Sequence, residues 1–182
     1  EGNAYLSALA IDNLNKKAYI ADSGSGAIIV FDLVNGSCRQ VLEGHPSVSA
    51  KKRFTIEAGG NDLVRTGGAR INGGVSSLCI SLDGKWLYFA PLASKRLYRI
   101  DTSFLSNMKL NNLDIVKGIE IMGESGQICA ITKDGEGNIY LASANDHAVK
   151  RIDCYGLLDT IYDSKKLEWP DCLAASWDGK KL

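Results

Sequence analysis

Three segments of the chain repeat one pattern: an apolar run, a turn rich in Asn, Asp or Gly, a second apolar run, a short polar link, and a third run ending in Asp. The copies read LSALAIDNLNKKAYIADSGSGAIIVFDL, VSSLCISLDGKWLYFAPLASKRLYRID and ICAITKDGEGNIYLASANDHAVKRID, and a fourth opens as CLAASWDGKKL. The runs are short, rich in Ile, Val, Leu, Tyr and Phe, and they meet at Asn-Lys, Asp-Gly or Gly-Asn turns. Each copy therefore predicts consecutive antiparallel hairpins. No segment holds a long helical period; TSFLSNMKLNN comes nearest and reads as a turn or one short helix.

A unit of three or four short strands cannot bury its own faces, but such units stacked side by side around an axis can. Repeats of this size fit the blades of a β-propeller. Tyr19, Tyr88 and Tyr140 mark the second strands at unequal spacing, so loops of different length hang on one repeated unit. The expected fold class is all-β, with blades at about 1–43, 75–105 and 127–163, the first strand of another at 169–182, and a long inter-blade loop at 44–74. Propellers typically close with 4 to 8 blades. The remaining blades are expected from a missing part of the same chain or from a partner.

Lys plus Arg and Asp plus Glu are both 21, giving a formal net charge of zero. The short basic clusters sit among acids, which argues against a nucleic-acid partner. No apolar stretch approaches the ~20 residues of a membrane-spanning helix. The five cysteines form no CxxC pair and have no histidine at ligand spacing, which argues against zinc. Cys79, Cys129 and Cys172 read as small core residues, whereas Cys38 and Cys154, near strand ends, are the better bridging candidates.

The segment AYIADSGSGAIIVFDLVNGSCR resembles a stretch of the Yellow and major royal jelly protein family. The resemblance continues through INGGVSSLCISLDGKWLYFAPLASKRLYRIDTSFLSN, where PLAS is a specific match, and ends in LEWPDCLAASWDGK, where WPD is another. These matches fall in the same order over nearly the whole chain. The resemblance implies a six-bladed propeller of which this chain is the later part, and secretion for many relatives, hence an extracellular or cell-surface location.

Aligning Ser81-Leu82-Asp83-Gly84 with Ser176-Trp177-Asp178-Gly179 places Ser76 opposite Asp171. Aligning Asp134-Gly135 with Asp178-Gly179 adds Gln127, and the first copy offers Ser7. The expected channel ring is thus Ser7, Ser76, Gln127 and Asp171, with Trp169 beside it in the WPD link. Only one member is a carboxylate. Relatives often carry Asp at the places of Ser76 and Gln127, as the resemblance reads, so a divalent cation of the gluconolactonase type, which needs several hard oxygens, is disfavoured and no cofactor is expected. Asp171 has two readings: an anion at the channel mouth, or a carboxylate accepting backbone hydrogen bonds where the chain turns into the strand.

The two histidines, His45 and His147, lie in loop-like contexts with no G-x-S-x-G nucleophile elbow. EAGGNDLVRTGGARINGG lacks the setting of a phosphate loop; within this long loop, Arg53, Arg65 and Arg70 are candidate ligand contacts. Asn35-Gly36-Ser37 is either a glycosylation acceptor or simply a turn after the third strand.

These observations predict a non-catalytic propeller. It would bind a small molecule in its channel, with a small amine or aromatic ligand suggested by the family resemblance, or act as an interaction module with a protein partner. The alternatives are a metal-dependent gluconolactonase-like hydrolase and a purely structural component of a larger assembly.

Overall fold

The computed structural model describes residues 4–69, 71 and 73–182. The described residues form three four-stranded antiparallel sheets, each a meander, and one short ribbon. The first sheet contains β1 (Leu6–Asp12), β2 (Lys17–Asp22), β3 (Ala27–Asp32) and β4 (Cys38–Val41). The ribbon, β5 (Glu57–Ala58) with β6 (Asn61–Asp62), lies inside the long 44–74 connection. The second sheet contains β7 (Val75–Ile80), β8 (Trp86–Pro91), β9 (Arg96–Asp101) and β10 (Ile119–Glu124), with helices α1 (Thr102–Ser106) and α2 (Asn112–Ile115) before its last strand. The third is β11 (Ile128–Lys133), β12 (Ile139–Ser143), β13 (Ala148–Ile152) and β14 (Leu158–Asp163). This is the all-β propeller architecture expected from the repeat.

Period-2 alternation explains why the sheets stack. The faces of the first two sheets enclose Tyr19, Ile28, Val30, Val75, Leu87, Phe89 and Ile100 in one core, and those of the second and third enclose Cys79, Tyr88, Leu97, Ile128, Ile139, Leu141 and Ile152 in another. The middle sheet is therefore covered on both sides. On the open side of the first sheet Leu9 and Ile11 are 60% and 42% exposed.

The innermost strands β1, β7 and β11 are neighbours around the axis, and polar side chains tie each to the next. Ser7 Oγ donates to the Val75 carbonyl at 3.4 Å, Ser77 Oγ to the Cys129 carbonyl at 2.8 Å, and Lys133 Nζ to the carbonyls of Ile80 and Ser81. On the outer side, the Arg39 guanidinium of β4 donates to the carbonyls of Leu105, Asn107 and Leu110 at 2.6, 3.0 and 3.2 Å, holding the helical link of the second sheet against the first.

Three boundaries differ from expectation. The second sheet runs past residue 105, because its fourth strand follows a link in which Asp101 and Asn111 cap two short helices through the N–H groups of Ser103 and Asp114. The segment 44–74 is not wholly a loop, since it carries β5 and β6. Residues 169–182 hold no strand, yet the turn that would follow one is fully formed: Ser176 Oγ donates to Asp178 and accepts from the Lys181 N–H, the same pattern in which Ser81 Oγ donates to Asp83 and accepts from the Trp86 N–H.

All five cysteines are free thiols; Cys79 and Cys129 are buried as expected, whereas Cys172, with Cys38 and Cys154, is exposed. Among the described residues no helix is long and apolar enough to cross a membrane.

Candidate functional site

Each innermost strand breaks its register near its start. Leu6 pairs with Asp22 and Ala8 with Ala21; Val75 pairs with Pro91 and Ser77 with Ala90; Ile128 pairs with Ser143 and Ala130 with Ala142. The residues left unpaired are Ser7, Ser76 and Cys129. A bulge of this kind bends the strand and re-aims a side chain, and all three residues line one cleft of about 1060 Å³ on the axial side of the sheets.

The bulge corrects one member of the expected ring. Gln127 does not line the cleft; it is fully buried, its Oε1 accepting from the Glu57 N–H and its Nε2 donating to the Glu57 carbonyl, both at 2.9 Å. Cys129 takes the place assigned to it. The difference arises because Asp134-Gly135 and Asp178-Gly179 occupy different places in their turns. Asp134 is in fact the first residue of its turn, accepting the Glu136 and Asn138 N–H groups, and corresponds to Ser176 rather than Asp178. The same count of residues separates Ser7 from Asp12, Ser76 from Ser81, Cys129 from Asp134 and Asp171 from Ser176. Counting back from the strand end, rather than matching the Asp-Gly pair, would have found Cys129.

Ser7, Ser76, Asp171 and Trp169 do line the cleft, with Tyr5, Ser23, Arg65 and Cys172 also in its wall. Asp171 is exposed, and among the described residues it accepts no hydrogen bond and makes no ion pair, so the reading of it as a turn carboxylate finds no donor there. Ser76 Oγ is buried without a hydrogen-bond partner among the described residues. Burial pushes the Cys129 thiol up to about 11, and the Asp171 charge acts in the same direction. At neutral pH this sulfur is a protonated, weakly polar surface, not a nucleophile.

The long connection closes over this end. Ile56 is buried, Gln127 grips Glu57, and the Gly59 N–H reaches the Glu168 carbonyl at 3.4 Å, next to Trp169. Of its arginines, Arg65 is in the cleft wall, Arg53 is exposed away from it, and Arg70 lies outside the described residues. Among the described residues no group of three or more His, Cys, Asp or Glu side chains could hold a metal ion. His45 instead closes a local turn, its Nδ1 2.8 Å from Ser47 Oγ, and His147 contacts the Leu167 carbonyl.

The family described as Major royal jelly protein matches residues 1–161. Major royal jelly protein 3 of Apis mellifera is 24% identical over 161 residues, 84% of this chain and 28% of that protein. The chain thus spans less than a third of the length of this relative. Among solved structures, virginiamycin B lyase from Staphylococcus aureus superposes with a TM-score of 0.55 at 16% identity, over 87% of this chain and 41% of the other. A protein assigned as a 6-phosphogluconolactonase from Bacteroides uniformis does so with a TM-score of 0.55 at 14% identity, over 93% and 47%. At these identities the likeness is one of fold.

Proposed function

The chain belongs to the major royal jelly protein family, and from that premise we propose that it forms the ligand-binding side of a non-catalytic propeller channel, taking a small amine or aromatic molecule. The observation that carries this reading is the cleft itself: one carboxylate without a partner among the described residues, Asp171, and one half-buried indole, Trp169, line it together with Ser7 and Ser76. A concave cleft with a few convergent polar groups is the usual form of a small-molecule site. An aromatic face beside an unpaired anion suits a cation carrying a ring.

A lactonase-type reading asks for several hard oxygen ligands around a cation, and among the described residues the cleft is lined by serine hydroxyls, the thiols of Cys129 and Cys172, and one carboxylate, Asp171. An extracellular location goes with the same reading, by analogy to secreted relatives. The test is calorimetry with phenethylamine on the full chain and on Asp171→Asn. Binding that weakens about tenfold in the variant supports the channel reading; an unchanged affinity removes Asp171 from it.

A further inference from the structure

The cleft holds a cation as well as an anion. Arg65 lines the same cleft as Asp171, and among the described residues neither forms an ion pair, with the other or with any third group. Two opposite charges lining one cleft without neutralising each other offer two separate points of attachment.

Arg65 is also held in place, although its side chain is exposed. It stands at a tight turn closed by its own N–H to the Ala69 carbonyl at 2.7 Å and by the Gly68 N–H to its carbonyl at 2.9 Å. Gly67 and Gly68 supply the positive φ angles, +94° and +81°, which L side chains rarely adopt. The base of the turn is tied down where the Leu63 N–H meets the Ile56 carbonyl at 2.8 Å, and Ile56 is buried next to the Glu57 that Gln127 grips. A run of contacts therefore leads from Gln127, just before β11, to the backbone of Arg65. That mounting fixes the point from which the planar fork can reach a carboxylate.

Resting on the channel reading above, we propose that the ligand is a zwitterion, an aromatic amino acid rather than a bare aromatic amine. Asp171 meets its ammonium group, Trp169 its ring and Arg65 its carboxylate. Ser76, whose hydroxyl has no hydrogen-bond partner among the described residues, lines the same cleft.

Three probes separate the parts: L-phenylalanine, phenethylamine, which lacks the carboxylate, and 3-phenylpropionate, which lacks the amine. By calorimetry on the full chain, L-phenylalanine binds tightest. Arg65→Gln weakens L-phenylalanine and 3-phenylpropionate about fivefold and leaves phenethylamine within about twofold, a size set by a charge-assisted contact that solvent screens in part. Arg65→Lys, which keeps the charge, recovers part of the loss. If phenethylamine binds as well as L-phenylalanine, or Arg65→Gln weakens all three alike, the zwitterion is wrong and the channel reading stands. If none of the three binds, both fall.

Discussion

Gln127 and Glu57 are joined by a two-point clip, carboxamide to backbone, in which each hydrogen bond spans 2.9 Å. The buried side chain thereby acts as one more strand for β5 and fastens the long connection to the third sheet. Gln127→Leu keeps the volume and removes both bonds, and the expected cost is ~2 kcal/mol. Limited proteolysis with peptide mass mapping checks the location: cleavage within 44–74 accelerates while the sheets stay resistant. Equal rates in the two proteins would mean that buried Ile56 and the Gly59 contact to Glu168 hold the connection without the clip.

The Cys129 thiol reports on Asp171. Burial, and after it the Asp171 carboxylate, raises its pKa to about 11, whereas the pKa of Cys79, also about 11, is raised by burial and opposed by Lys133. Asp171→Asn should lower the Cys129 value and speed its alkylation at pH 8 to 9, leaving Cys79 as an internal control. Isotope-coded alkylation resolves the two sites. No change at Cys129 would place the carboxylate too far away to be felt.

Gly135 is where the fourth turn rests on the third. Its N–H donates to the Trp177 carbonyl at 2.9 Å, and an added Cβ would sit 2.4 Å from that oxygen and 2.6 Å from the indole. Gly135→Ala must push the Ser176–Lys181 turn away, an overpacking cost of ~1–3 kcal/mol. Urea unfolding gives the magnitude, and a shift in the emission of Trp177 shows that the turn moved. A variant as stable as the parent, with unshifted emission, would contradict the contact.

His45 makes stability depend on pH. Burial holds its pKa below the ordinary 6.5, and the neutral ring accepts the Ser47 N–H on Nδ1 at 3.2 Å. The unfolded chain therefore binds the proton more readily than the folded one, so this contribution is present above about pH 6.5 and is lost as the pH falls through the folded-state value. Urea midpoints should drop between pH 7 and pH 5, and His45→Asn should flatten that slope. An identical slope in the variant would assign the effect to other groups.

The sheets were legible because short runs rich in Ile, Val, Leu, Tyr and Phe alternate with turns that carry their own hydrogen-bonding residue, as Ser81 with Asp83 and Ser176 with Asp178 show. Three of the four expected ring positions followed from that repetition. Gln127 was misplaced because an Asp-Gly pair looks the same at the first or third position of a turn, and only the backbone donors to Asp134 distinguish them. Its true partner, Glu57, lies in a stretch without periodicity, so no local pattern announces the contact. β10 was hidden for a related reason: IEIMGE is a short, half-exposed strand separated from β9 by two capped helices.

The serine and lysine side chains that join β1, β7 and β11 have a consequence for solubility. An innermost strand has a ladder partner on one side only, and its other edge is a row of carbonyls and amides that could template an incoming strand. Ser7 occupies the Val75 carbonyl, Ser77 that of Cys129, and Lys133 those of Ile80 and Ser81. Each blade thus blocks part of its neighbour's exposed edge, with a positive charge at one end of the row. Losing a blade would uncover fibril-prone backbone as well as apolar surface, which ties resistance to aggregation to the order in which blades assemble.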